Sequence, residues 1–171
     1  MYSADIQKLP RHYLPVDFTL TDWNSLAPFF EELESRSLSS LAELEQWLRD
    51  VSELESVISE DACWRQIRMT CDTENKALEE AFNYFMLEIQ PMIQPWSDRL
   101  NRKLIDCPFT ASLDTNTYFT FLRSIRKQID LFNEANIPVI AELNVLQQQS
   151  GRGQFDVPIH RSQHHGLVLG G

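Results

Sequence analysis

The first 150 residues of this 171-residue chain contain no glycine; all five glycines follow Ser150. So long a glycine-free stretch has no cheap route to positive φ, which tight hairpins and phosphate-cradling loops use. G-x-x-x-x-G-K-[ST] and G-x-G-x-x-G are therefore excluded from the body. Cysteine is scarce: Cys63, Cys71 and Cys107 form no C-x-x-C, and an odd count cannot pair completely. If Cys63 and Cys71 share a helix, about 12 Å of rise separates them, beyond the ~7 Å between Cα atoms that a disulfide tolerates. Buried thiols in a reducing compartment are expected. No apolar run nears the ~20 residues of a membrane span, and no basic-then-apolar opening marks a secretion signal. Cytoplasmic residence is the resulting expectation.

Hydrophobic residues make up 43% of the chain, with ten Phe and four Trp, which is enough for one domain with a real core. The net charge is −10, and residues 1–150 hold 13 basic against 24 acidic side chains. An acidic body argues against nucleic acid and anionic membranes as partners.

Three regions are expected: an extended arm over 1–20, a helical lobe over 21–149 and an irregular tail over 150–171. Pro10 and Pro15 discourage helix in the arm, where Leu14, Val16, Phe18 and Leu20 alternate with other neighbours, so that one side lies on the body. Asp22 or Ser25 can cap a helix over 22–35 through Leu26, Phe29, Phe30 and Leu33, with Pro28 tolerable only in its opening turn. Ser40 and Glu43 form a capping box for an uninterrupted helix to Asp72. Leu41, Leu44, Leu48, Val51 and Ile58 make one stripe on it. Trp47, Leu54, Val57, Trp64, Ile67 and Cys71 make a second, which implies neighbours on both sides.

Asp72 or Thr73 recaps a helix to Asp106 through Leu78, Phe82, Phe85, Ile89, Ile93, Trp96, Leu100 and Leu104. Pro91 and Pro95 predict a kink or break near 88–95. From Asp114 or Asn116, the spacing of Tyr118, Leu122, Ile125, Ile129 and Phe132 is a bundle seam, with Arg123, Arg126 and Lys127 outside it. Pro138 opens a last helix through Val139, Ile140, Leu143 and Leu146. The fold class is all-α: an antiparallel bundle of long helix hairpins with an extended N-terminal arm.

The chemistry is sparse. His160 and His164 have an H-x-x-x-H interval and His165 adjoins them, but Arg161 stands where a zinc hydrolase places its glutamate. The segment reads as an unstructured tail. The run holding Glu53, Glu55, Glu60 and Asp61 reads as a solvated helix face, with Arg65 and Arg68 one turn further on for helical ion pairs. No histidine of the body accompanies the cysteines, since His12 stands alone in the arm. No catalytic, cofactor-binding or metal-ligating residue is assigned.

From Ser52-Glu53-Leu54-Glu55-Ser56-Val57-Ile58-Ser59-Glu60-Asp61-Ala62-Cys63-Trp64-Arg65 on to Met69-Thr70-Cys71-Asp72-Thr73, the chain resembles the N-terminal region of oligoendopeptidase F-like zinc metallopeptidases, relatives of thimet oligopeptidase. Asp22-Trp23, Phe30-Glu31-Glu32-Leu33, Ile89-Gln90-Pro91, Leu100-Asn101-Arg102-Lys103-Leu104, Leu122-Arg123-Ser124 and Asn136-Ile137-Pro138 continue the likeness in order, over about residues 10–149. The resemblance implies the helical lobe of a cytoplasmic enzyme that hydrolyses short peptides. The family's H-E-x-x-H lobe would supply zinc-bound water. No zinc ligand carries over, so the chain is expected to be inert alone, a truncated peptidase whose tail is native, frameshifted or added. Its partners would be the missing catalytic lobe, or a second copy met through exposed apolar surface. A free-standing helical interaction module is the alternative.

Overall fold

The computed structural model describes residues 10–131 together with 137–139, 141–143 and 145–146. The expectations for residues 1–9, Ile140, Phe132 and the tail with His160, His164 and His165 lie outside the described residues. All regular structure among the described residues is helical. The elements are α1 (Trp23–Ser35), α2 (Leu41–Cys71), α3 (Lys76–Tyr84), a π turn (Phe85–Ile89), α4 (Gln90–Asp106), a 3-10 turn (Pro108–Ser112) and α5 (Thr115–Leu131). The all-α class is thus realised.

Helix starts follow side-chain chemistry. Asp22 accepts from the Ser25 amide at 3.0 Å, and Ser40 Oγ from the Glu43 amide at 3.2 Å. Glu43 returns its carboxylate to the amide of Ser39 at 2.7 Å, one residue before the expected partner. Asn75, rather than Asp72 or Thr73, caps α3 through the Ala77 amide. Asp114 caps α5, accepting from the Thr117 amide at 3.0 Å. Each bond satisfies an amide that the first turn leaves orphaned.

One proline expectation needs correction. Pro28 lies beyond the opening turn of α1. Its side chain is exposed, so the carbonyl of Asn24 that loses a donor is on the solvent side. At Pro91 and Pro95 the expected irregularity takes the form of a π turn rather than a break in the helix. The backbone stays helical from Lys76 to Asp106, and the wide π turn just before Pro91 takes up the irregularity. There the Gln90 amide reaches the Phe85 carbonyl, an i to i−5 bond, which relaxes the ladder where the ring would crowd a carbonyl.

One core joins the helices. Leu26, Phe30 and Leu33 of α1, Leu44, Trp47 and Leu54 of α2, and Ile89, Leu100 and Leu104 further on are buried. Trp23, Phe30 and Trp96 cluster between α1 and α4 with centroids 5.8–6.1 Å apart, and the Arg99 guanidinium lies 3.9 Å from the Trp96 centroid. Ring pairs of this kind add about 0.5–1.5 kcal/mol beyond area burial.

The end of α1 is closed from two sides. Lys103 Nζ of α4 donates to the carbonyls of Leu33 and Glu34 at 2.8 and 2.6 Å, and to that of Arg36. Trp47 Nε1 of α2 donates to the Leu33 carbonyl at 2.8 Å. Carbonyls that a helix end would leave open are thereby satisfied, by a cation suited to that end of the dipole.

The second stripe of α2 is only half covered. Trp47 and Leu54 are buried and Val57 is half-buried, but Trp64 and Ile67 are 45% and 46% exposed. Past Val57, Met69 is buried, and Arg65 bonds both the arm at Leu20 and α3 at Ala81. The C-terminal helical residues also differ from expectation. Val139, Leu143 and Leu146 are exposed, while Ala141 is buried and Val145 packs on the core.

Candidate functional site

The most organised polar structure lies where the arm crosses α2. Pro15 turns the arm, with the Phe18 amide donating to the Pro15 carbonyl at 3.0 Å, and this throws Val16 outward to 85% exposure. The expected alternation therefore fails at Val16 but holds for buried Leu14 and Leu20 and half-buried Phe18. Arg11 NH1 lies 3.1, 3.3 and 3.0 Å from the carbonyls of Pro15, Val16 and Phe18 and ties the loop to itself.

Glu53 on α2 receives this loop. Its carboxylate accepts the amides of His12 at 2.9 Å, Tyr13 at 3.1 Å and Leu14 at 2.8 Å. Burial alone would raise its pKa. The Leu14, His12 and Tyr13 amides outweigh that and hold it below the ordinary carboxylate value. Glu53 is thus a binding post, not the solvated carboxylate that helical patterning suggests.

A second polar chain begins at Tyr13. Its hydroxyl lies 2.8 Å from the Phe29 carbonyl and 2.9 Å from Glu32 Oε2, sharing one proton between them. Burial, then the Glu32 carboxylate, pushes the phenol pKa up. Arg36 grips Glu32 with Nε and NH2 at 2.8 and 2.7 Å and reaches Asp50, which also accepts from Gln46 Nε2 at 2.8 Å. The Arg36 hydrogen bonds hold the Glu32 pKa low. Asp50 is 6% exposed, so its charge is tolerated only because both oxygens are engaged.

Beside the post opens a cleft of about 750 Å³ between the arm, α2 and the start of α5. Pro10, Arg11 and His12 form one wall, Tyr118 and Phe121 another, and Leu48, Ser52, Ser56 and Val57 are part of the floor. Its size suits a small ligand or a side-chain cluster of a partner. A hollow of about 170 Å³, bordered by Glu55, Asn101 and Gln128, continues the α2–α5 furrow.

The other residues singled out by sequence are dispersed. Arg65 bonds Asp61 at 2.5 Å as helical spacing predicts, and also the carbonyls of Leu20 and Ala81 at 3.0 and 3.1 Å, so it ties three segments together. Glu60 borders the cleft. Arg68 is exposed on the last turn of α2, and Arg123, Arg126 and Lys127 are exposed on α5. The thiols are free, with Cys107 buried but Cys63 and Cys71 exposed, contrary to the expectation of three buried thiols. Among the described residues no group of three or more His, Cys, Asp or Glu could hold a metal ion, so zinc finds no donor set there. No described helix is long and apolar enough to cross a membrane. The arrangement can bind and position; it assembles no reaction centre among the described residues.

A family model described as the peptidase M3 N-terminal domain matches residues 14–132. No curated protein and no solved structure gives a significant match.

Proposed function

Because the chain belongs to the peptidase M3 N-terminal domain family, we propose that it is the helical lobe of a cytoplasmic zinc oligopeptidase acting on short peptides. The reading assigns this lobe the shaping of a peptide channel and assigns the zinc to an H-E-x-x-H lobe. The single observation that carries it is the match over 14–132. The 171 residues contain no H-E-x-x-H. The half-exposed Trp64 and Ile67 of α2, together with exposed Val139, Leu143 and Leu146, offer the apolar surface for that lobe or for a second copy. Three free thiols accord with a reducing compartment.

The test is cleavage of an internally quenched peptide by the purified chain with added zinc. No chelator-sensitive cleavage is expected from the chain alone, and cleavage is expected once it is combined with the zinc lobe of an M3 peptidase. Chelator-sensitive cleavage by the chain alone would overturn the assignment. The cleft of about 750 Å³ favours a second reading, a free-standing interaction module. Sedimentation separates the two: a lobe parted from its partner self-associates, whereas a module stays monodisperse.

A further inference from the structure

We propose that residues Pro10–Tyr13 are a strap latched by Glu53, and that releasing the latch opens the cleft between α2 and α5. The argument begins with what holds the segment. Pro10 and His12 are exposed, and Leu14 is the first buried residue of the arm. Among the described residues upstream of Leu14, Tyr13 packs on the core, its ring edge-on to Phe29 at 5.7 Å. Polar bonds hold the strap: three consecutive amides converge on the Glu53 carboxylate, while the Tyr13 hydroxyl is bound separately to Phe29 and Glu32 and the Arg11 guanidinium to the Pro15, Val16 and Phe18 carbonyls. A segment held mainly by polar bonds with little buried apolar area belongs to the low-stability end of a fold, where opening is local.

The geometry links the latch to the cleft. Glu53 lines the cleft, and Pro10, Arg11 and His12 form its outer wall immediately before the clamped amides. The place of that wall is set by the clamp together with the bonds of Arg11 to the Pro15, Val16 and Phe18 carbonyls. Leu14 and Leu20 stay in the core when it lets go, and so act as the fixed end. The surface that opening would uncover is mixed but largely apolar, with Leu48 and Val57 beside Ser52 and Ser56 on the floor and Tyr118 and Phe121 on the far wall. Pro10–Tyr13 precede the span matched by the family model, whereas Leu14 and Glu53 lie within it, and the latch goes beyond the proposed peptidase-lobe reading.

Hydrogen–deuterium exchange of the full chain, wild type against Glu53→Gln and Glu53→Ala, reads the latch. The amides of His12, Tyr13 and Leu14 are expected to exchange at least tenfold faster in Glu53→Ala and to an intermediate degree in Glu53→Gln. Those of Leu100 and Leu104 in α4 should keep wild-type rates. Unchanged strap amides, or an equal acceleration in α4 for the shape-conserving Glu53→Gln, would overturn the latch. The cleft is read with an environment-sensitive naphthalene sulfonate dye. Its fluorescence should rise severalfold in Glu53→Ala and return toward wild type when Phe121→Ser is added. No rise, or a rise indifferent to Phe121→Ser, would overturn the gating.

Discussion

The two halves of α2 share one helix and have opposite surroundings. Its N-terminal half buries Leu44, Trp47, Leu48, Val51 and Leu54, while in its C-terminal half Met69 is buried and Trp64 and Ile67 stand nearly half exposed. α1 meets the first half through Trp47, and the arm meets it through Glu53, so that half is flanked on more than one side. The second half is tied by Arg65 to the Leu20 carbonyl of the arm and the Ala81 carbonyl of α3, while Trp64 and Ile67 stay half exposed. Apolar residues at helical spacing thus serve folding in one half and leave surface exposed in the other. What differs is the presence of a neighbour, which helical periodicity does not encode.

Paired substitutions break or sharpen this contrast. Trp47→Ala should cost about 3–5 kcal/mol, since it removes a buried indole and one of the two donors to the Leu33 carbonyl. Trp64→Ala should cost less than about 1 kcal/mol. Urea denaturation of both variants decides the matter, and equal losses would erase the distinction.

A smaller effect is expected from acid. Glu53 and Glu32 have folded pKa values below the ordinary 4.5, so each contributes stability that is present above that value and lost as pH falls through the folded one. Around Glu53 stand Arg11 and His12 of the arm and Arg49 and Glu60 of α2. The thermal midpoint should therefore decline below pH 4.5, and Glu53→Gln should flatten the decline; a parallel curve would remove Glu53 from the account. The smallest change in stability, within about 0.5 kcal/mol, is expected for Trp64→Ser combined with Ile67→Ser. That variant should lower any self-association seen by sedimentation, and unaltered association would move the sticky surface elsewhere.

Much of the fold was legible. Asp22, Ser40 and Asp114 announce helix starts because a short acceptor side chain beside orphan amides is a local device. The buried spacing of Phe82, Phe85, Ile89, Ile93, Leu100 and Leu104 was equally readable, since only one face of a helix can meet a core. The candidate site was not. Glu53 finds amides some forty positions earlier in the chain, and nothing in its helical neighbourhood distinguishes it from Glu55. Val16 was misplaced because a turn at Pro15 shifts the alternation. Pro91 and Pro95 signalled an irregularity near 88–95, but that it would be a π turn within a continuous helical run was not legible, because a wider turn can absorb what an ideal ladder cannot.

Helical class, helix ends and a family likeness can be read from the order of residues, because caps and periodicity act over a few neighbours. Which apolar stripe is covered, which carboxylate becomes a post, and where a cleft is left open depend on segments far apart in the chain. Those were settled by packing alone, since burial and long-range hydrogen bonds exist only once the helices have met.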